Sequence, residues 1–226
     1  MQLTENTATI LTLLGAGPAT IDTVHAVFRH GAILVAADGG VRHAAAAGLV
    51  PDQILGDLDS LPEPFPAEFA DVPRHHIADQ DSTDFDKALR SVSADLYLCA
   101  GFLDGRTDHT LACLHTLVMR ADKRILLVSE TDVIMHMPRR IALDLPEDTR
   151  VSLFPMRPVQ ATSDGLRWPL ADVDLAPDSQ ISTSNAATGG RTRIRADRPG
   201  LLLILPREHL GKLIPVLLKT PVWGRD

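Results

Sequence analysis

The segment Ala32-Ile33-Leu34-Val35-Ala36-Ala37-Asp38-Gly39-Gly40 is a continuous apolar run that ends in one acidic residue and two glycines. An apolar run of this length, closed by turn-forming residues, predicts a buried strand. Apolar residues recur at helical spacing before it, over residues 21–28, and an alanine-rich run over residues 41–47 predicts a second helix after it. A buried strand between two helices indicates a mainly parallel sheet with helices on both of its faces.

The same alternation extends outward through the first half of the chain. Further strands are predicted at residues 8–14, 53–55, 74–78, 96–100 and 124–129, and further helices at 83–92 and 109–119. We therefore predict an α/β domain over residues 1–137. Beyond it, clusters of Pro, Gly, Asp and Ser separate strand-like runs at 151–154, 191–195 and 201–205, with one short helical pattern at 208–218. This change predicts a second, smaller β domain over residues 138–226.

The composition is that of a soluble globular protein, with 45% hydrophobic and 23% charged residues. The formal net charge of -7 would repel a nucleic acid overall, so we expect no nucleic-acid partner. The first residues lack the features of a secretion signal, and no apolar run approaches the roughly 20 residues of a membrane helix. Cys99 and Cys113 have neither metal-binding nor redox spacing, so we expect both to be reduced and buried. These features predict a cytoplasmic protein without a membrane partner.

Two carboxylates flank one apolar residue directly after the predicted strand at residues 53–55. In an extended chain, residues two apart point to the same side, so Asp57 and Asp59 can converge on one cation. Mg2+ prefers oxygen ligands and uses one or two protein carboxylates together with substrate phosphates. The pair also follows a strand, where ligands bind in parallel sheets, and it therefore indicates phosphate chemistry.

A second acidic segment, Asp-Gln-Asp-Ser-Thr-Asp-Phe-Asp, occupies residues 79–86. It does not match an EF-hand calcium loop, because Asp84 and Arg90 stand where that loop needs Gly and Glu. Thr83 is a suitable N-cap for the helix that follows, and a helix N-terminus can also hold phosphate. The structural and the phosphate-binding interpretations are therefore compatible.

Three other segments allow both a structural and a functional interpretation. Arg106 and His109, at a helix start, suit a phosphate chain, but their loop is equally consistent with an ordinary turn. Residues 15–20 partly match a dinucleotide-binding fingerprint, although Thr20 replaces its third glycine, so a plain turn or a loop near a nucleotide is favoured. Trp168, beside a turn, could be a core residue or could stack on a flat ligand ring.

The order of these segments resembles that of the thiamine pyrophosphokinase family. The resemblance covers the chain from about residue 10 to residue 206. It rests on six sequences in the order of that family: ADGG at 37–40, PDQILGDLDS at 51–60, DQDSTDF at 79–85, GRTDHT at 105–110, GLRWPL at 165–170 and STSN at 182–185.

The resemblance implies an N-terminal α/β domain with a mainly parallel sheet, followed by a smaller all-β sandwich domain. It implies a homodimer with its active sites at the subunit interface. The implied reaction is the Mg2+-dependent transfer of the diphosphoryl group of ATP to the hydroxyl of thiamine, which releases AMP. The partners would be thiamine and ATP.

The resemblance also assigns roles to residues of this chain. The implied magnesium ligands are Asp57, Asp59 and Asp84, and the implied catalytic residues are these three with Arg106 and Asp108. The implied ATP contacts are Asp38, Gln80, Thr83, Arg106 and His109. The implied thiamine contacts are Trp168, Ser182 and Asn185. Asp81 or Asp108 could accept the proton of the thiamine hydroxyl.

Two other classes of function use the same residues. A metal-dependent nucleotide phosphohydrolase or a nucleotidyltransferase could use the same aspartate cluster. A non-catalytic regulator that binds thiamine or a nucleotide is the third interpretation, although the intact Asp57, Asp59 and Asp84 argue against it.

Overall fold

The computed structural model describes residues 8–77 and 83–224. The first half alternates strands and helices, and each strand and helix predicted from its sequence is present within a few residues. Its elements are β1 (Ile10–Leu14), α1 (Ile21–Phe28), β2 (Ile33–Ala37), α2 (Val41–Ala46), β3 (Gln53–Gly56), β4 (Arg74–His76), α3 (Asp84–Ser91), β5 (Leu96–Ala100), α4 (Thr107–Met119) and β6 (Ile125–Val128).

The six strands of this half lie in the order β6-β5-β1-β2-β3-β4. Every neighbouring pair among them is parallel. The carboxyl ends of all six strands therefore lie at one edge of the sheet, where the connecting loops form the ligand-binding region in open parallel sheets.

The second half is rich in antiparallel strands. Its elements are β7 (Asp132–His136), β8 (Arg140–Pro155), β9 (Val159–Asp164), β10 (Val173–Leu175), β11 (Ser182–Ala196), β12 (Leu201–Pro206) and α5 (Leu210–Lys219). β7 pairs antiparallel with β6, so the hydrogen-bonded ladder continues from the first half into the second and joins 12 strands. The prediction of a second β-rich region is confirmed. It is wrong in being all-β, because the region ends in helix α5, the short helical pattern noted in the sequence.

Two apolar clusters lie on opposite faces of the parallel sheet. Successive residues of β5 alternate between them, since Leu98 belongs to one cluster and Cys99 to the other. Residues of α1, α2 and α5 cover the first face, and residues of α3 and α4 cover the second. This confirms the prediction of helices on both faces, and the first cluster continues into the β-rich half. Cys99 and Cys113 are both buried and free, as predicted.

Helix α5 is fastened to the parallel sheet by one arginine. Arg124 precedes β6, and its Nε donates a hydrogen bond to the carbonyl of Leu217 at 2.7 Å, while its Nη2 donates to the carbonyl of Thr220 at 2.9 Å. A cation at a helix C-terminus is favourable because the last carbonyls lack partners within the helix. No helix in the described parts of the chain is both long and apolar enough to cross a membrane.

Candidate active site

The loops that follow β1 and β5 contact each other at the carboxyl edge of the sheet. Gly15 N donates to the carbonyl of Ala100 at 2.9 Å, and Gly17 N donates to the carbonyl of Gly101 at 2.8 Å. A Cβ at Gly15 would lie 2.5 Å from the Gly101 carbonyl oxygen. Only glycine permits this approach, so the glycines at residues 15–17 have a structural reason as a strand–helix turn.

Asp38 links the end of β2 to the end of β3. Its backbone has φ 43°, its side chain is only 3% exposed, and its Oδ1 accepts a hydrogen bond from Leu58 N at 2.8 Å. Its Oδ2 is buried and has no hydrogen-bond partner within the described residues. A buried acceptor without a partner is costly, so the site holds an unsatisfied oxygen where a ligand could supply the missing contact.

Burial and neighbouring charges shift the pKa of Asp38. The pKa is raised from 3.8 to about 6, and loss of hydration is the main cause. The hydrogen bond from Leu58 opposes the rise, and the negative charges of Asp84, Asp57 and Asp59 contribute to it. The three predicted metal ligands therefore lie close enough to Asp38 to interact with it electrostatically. A cation bound among them would lower this mutual repulsion.

Lys87 of helix α3 is a member of this cluster that the sequence analysis missed. Its Nζ donates to Asp84 Oδ1 at 3.1 Å and lies 3.9 Å from Asp57 Oδ2. Burial is the largest single influence on the pKa of Lys87 and lowers it, but the hydrogen bond to Asp84 and the charges of Asp84, Asp57 and Asp38 together raise it. The sequence does contain a signal for this contact, because residues three apart on a helix are neighbours.

The carboxylates are gathered but do not form a closed metal site. Among residues 8–77 and 83–224, no group of three or more His, Cys, Asp or Glu side chains is arranged to hold a metal ion. Asp59 N donates to Asp57 Oδ1 at 3.3 Å, and Asp59 Oδ1 accepts from Ser60 at 2.8 Å. The available donors are carboxylate oxygens, including the Oδ2 of Asp38, which has no partner in the described part of the chain. This set fits Mg2+, which takes few protein ligands and completes its shell with water and substrate oxygens.

A cleft of about 520 Å³ opens beside the cluster. Asp84 and three of the residues predicted to contact ATP line it, namely Thr83, Arg106 and His109. The ring of Phe102 forms part of its wall and packs against Phe85 with ring centres 4.6 Å apart. The structure thus brings residues 83–85 and the segment at residues 101–109 to one cavity, while Gln80 and Asp81 lie outside the described residues.

Arg106 and Asp108 form an exposed, two-pronged ion pair. Arg106 Nη2 donates to Asp108 Oδ2 at 2.7 Å, and Arg106 Nε donates to Asp108 Oδ1 at 3.2 Å. The hydrogen bond from Arg106 is the main reason why the pKa of Asp108 is lowered. A carboxylate with a lowered pKa is a weaker proton acceptor, so Asp108 is disfavoured as the general base as long as it is paired with Arg106.

The predicted thiamine contacts lie on the β-rich half, and none of them lines this cleft. Trp168 is 58% exposed, which shows that the core interpretation of this residue is wrong. Asn185 is buried, and its side chain holds the Trp168 backbone, since its Oδ1 accepts from Trp168 N at 3.1 Å and its Nδ2 donates to the Trp168 carbonyl at 2.6 Å. Asn185 therefore fixes the backbone that carries the exposed indole of Trp168. Ser182 lies half-buried at the start of β11.

Two family models match the chain. The model described as thiamin pyrophosphokinase, catalytic domain, matches residues 24–128. The model described as thiamin pyrophosphokinase, vitamin B1 binding domain, matches residues 134–201. The first match contains the acidic cluster and most of the residues that line the cleft, and the second contains Trp168, Ser182 and Asn185.

Curated relatives carry the same name. Thiamine pyrophosphokinase 1 of Oryza sativa subsp. japonica is 29% identical over 166 residues, which are 65% of this chain and 63% of that protein. Thiamine pyrophosphokinase 1 of Arabidopsis thaliana is 28% identical over 166 residues, which are 65% of this chain and 62% of that protein. The matched region thus spans just under two thirds of the length of these relatives.

Solved structures share the fold. The yeast thiamin pyrophosphokinase structure superposes with a TM-score of 0.77 at 16% identity, covering 94% of this chain and 90% of that one. The thiamin pyrophosphokinase of Geobacillus thermodenitrificans gives a TM-score of 0.73 at 24% identity, covering 88% of this chain and 97% of that one. At these identities the likeness concerns the fold alone.

Proposed function

The chain belongs to the thiamine pyrophosphokinase family, and from this premise we propose that it transfers the diphosphoryl group of ATP to the hydroxyl of thiamine. The products would be thiamine diphosphate and AMP. The observation that carries the proposal is the buried oxygen of Asp38 within a group of aspartates, beside a cleft that Arg106 and His109 line.

The proposed metal ligands are Asp57, Asp59 and Asp84, with Asp38 behind them. When bound, Mg2+ would neutralise charge on the phosphate oxygens and help to fix the nucleotide. The chain itself would orient the two substrates, because phosphoryl-type transfer depends on positioning and electrostatic stabilisation more than on covalent chemistry by the protein.

Arg106 is the proposed guanidinium contact to the polyphosphate. Its fork of donors carries a permanent charge and suits phosphate oxygens. An exposed ion pair contributes little to stability, so Arg106 could exchange Asp108 for a phosphate at small cost. Thr83, at the start of helix α3, would present the positive end of that helix to the same phosphates, and His109 would line the cavity beside them.

We place thiamine against the β-rich half of a partner subunit. Trp168 is exposed and does not line the cleft of its own chain, and its backbone is fixed by Asn185. An exposed indole on a fixed backbone suits a cationic, flat ligand. The finer features proposed with this arrangement are a homodimer, a domain boundary between residues 137 and 138, a β-sandwich in the second domain, and a cytoplasmic location.

The proposal is tested by identifying the products. Incubation with thiamine, ATP and Mg2+ is expected to give thiamine diphosphate and AMP on chromatography. Thiamine monophosphate with ADP would contradict diphosphoryl transfer. Phosphate release from nucleotides that does not depend on thiamine would favour the phosphohydrolase alternative.

Substitution of the proposed metal ligands gives a second test. Asp57→Asn and Asp84→Asn are each expected to reduce kcat by roughly a hundredfold or more, the size seen when a charge-stabilising group is lost. Circular dichroism and Tm would show that the fold survives. Asp178→Asn, at an exposed position in the β-rich half, is the matched control and should keep full activity. Near-normal turnover in either cluster variant would remove that residue from the metal site.

A further inference from the structure

The ammonium group of Lys87 is buried among carboxylates that belong to different elements. Its side chain is 5% exposed, although it lies on the first half of helix α3. Asp84 is on the same helix, three residues earlier, whereas Asp57 follows strand β3. One cation therefore joins the helix to the loop after the strand, at the point where both contribute a proposed metal ligand.

A buried lysine is costly unless its charge is compensated. Helix packing alone would be served by an apolar residue of the same length, because the neighbouring Ala88 and Leu89 already anchor α3 in the core. The group of carboxylates is also costly without a cation, because the negative charges of Asp84, Asp57 and Asp59 each repel that of Asp38. The ammonium group and the aspartates therefore compensate each other.

We propose that Lys87 acts as a fixed counter-cation, whose ammonium group offsets the charges of Asp57 and Asp84 before a divalent cation binds. This inference rests on the proposed function only for the identity of the metal ligands. It has a thermodynamic consequence, because a divalent cation that binds here must share the carboxylates with a positive charge that is already present.

Binding of Mg2+ alone tests the inference without any turnover. Thermal unfolding would be followed at increasing MgCl2 and constant ionic strength for the wild-type protein and for Lys87→Met. The variant should have a lower Tm without a divalent cation, a larger rise in Tm with Mg2+, and a midpoint concentration at least about tenfold lower, since one repelling charge has been removed.

Two control variants separate the effect of the Lys87 charge from the effect of its side-chain packing. Lys87→Arg keeps the charge and should keep the midpoint close to that of the wild type. Lys219→Met removes an exposed lysine at the end of α5 and should change neither quantity. If Lys87→Met does not fold, Lys87→Gln with Mg2+ titrated by calorimetry at low temperature gives the same comparison.

Several results would overturn the inference. A lower Tm for Lys87→Met with an unchanged midpoint would mean that Lys87 only stabilises the fold. A higher midpoint would mean that the lysine helps to bind the cation. Absence of any Mg2+ response in all variants would reject the inference whatever the product assay shows. A normal Mg2+ response without thiamine diphosphate formation would instead reject the proposed function and leave the inference intact.

Discussion

At the scale of single residues, the negative charges of the site are only partly compensated by positive charge. Among the residues that the structure describes, one buried oxygen of Asp38 has no hydrogen-bond partner, and Lys87 supplies a positive charge to the carboxylates around it. Natural proteins retain such costly groups mainly where function needs them. We expect the ligand-free protein to lose stability at this site, and the loss to depend on pH.

Asp38→Asn is expected to stabilise the ligand-free protein at neutral pH. The folded-state pKa of about 6 lies above the ordinary value of 3.8, so the folded state holds this proton more tightly. The stabilising effect of the proton is therefore complete below about pH 4 and is lost as the pH rises through 6. Removing the charge should raise the free energy of unfolding by about 1–3 kcal/mol at pH 7.5, as a shift of this size implies.

Denaturant unfolding at pH 7.5 and pH 4 measures this effect. The gain from Asp38→Asn should shrink at the lower pH, while activity is lost at both. Asp104→Asn is the control, because Asp104 is exposed and has the same left-handed backbone, with φ 62°, which Asn tolerates. An equal gain at both pH values would show that the carboxylate charge is not its origin.

At the scale of elements, the ends of strands β2 and β3 lie in close contact at the site. Gly56 ends β3 with φ 138°, and a Cβ there would lie 2.0 Å from Asp38 Oδ2. The end of β3 therefore lies against the carboxylate that ends β2, and the residue at position 56 decides whether that carboxylate has room.

Gly56→Ala should destabilise the protein by roughly 3 kcal/mol or more, since it combines a steric overlap with an unfavourable backbone conformation. The matched control is Gly48→Ala, where φ is also positive, at 66°, but no atom lies within 4 Å of the added Cβ. That control should cost only about 1 kcal/mol. Urea unfolding of both variants gives the comparison, and equal losses would mean that the contact with Asp38 is unimportant.

The elements also show what the sequence could predict. The apolar runs of β1, β2, β5 and β6 are short and closed by turn residues, so periodicity located them. The long strands β8 and β11 were only partly predicted, because Pro146 and the pair Gly189-Gly190 normally interrupt strands. Their ladder shifts register between Ser182 and Asn185 and between Ala186 and Thr188, and it then continues in register through the glycine pair and Pro146.

The site residues could be predicted from the sequence only where their role does not depend on tertiary contacts. The segments at residues 79–86 and 101–109 were identified because residue types and strand ends agree. The role of Asn185 in fixing the Trp168 backbone was missed, since nothing in the sequence pairs two residues 17 positions apart. Lys87 was missed because a lysine on a helix is normally exposed.

At the scale of the whole molecule, one ladder of 12 strands joins the proposed nucleotide site to the proposed thiamine surface. The two sets of residues lie on different halves of the chain, and Trp168 does not line the cleft that contains Asp84. A site completed across a two-fold axis between two copies would bring them together.

Mixed dimers test this arrangement. Asp57→Asn and Trp168→Ala should each be nearly inactive alone. A dimer carrying one copy of each, isolated with two different affinity tags, should contain one intact site and regain about half of the wild-type activity. Doubly tagged wild-type protein is the control. No recovery in the mixed dimer would place both residues in a site within one subunit.

In the proposed reaction, the β- and γ-phosphates of ATP move together to thiamine. Phosphorus NMR of one reaction mixture, with and without thiamine, follows every phosphorus atom and tests this transfer. We expect thiamine diphosphate and AMP in equal amounts, and no consumption of ATP when thiamine is omitted. Formation of ADP with thiamine monophosphate, or ATP breakdown without thiamine, would contradict it.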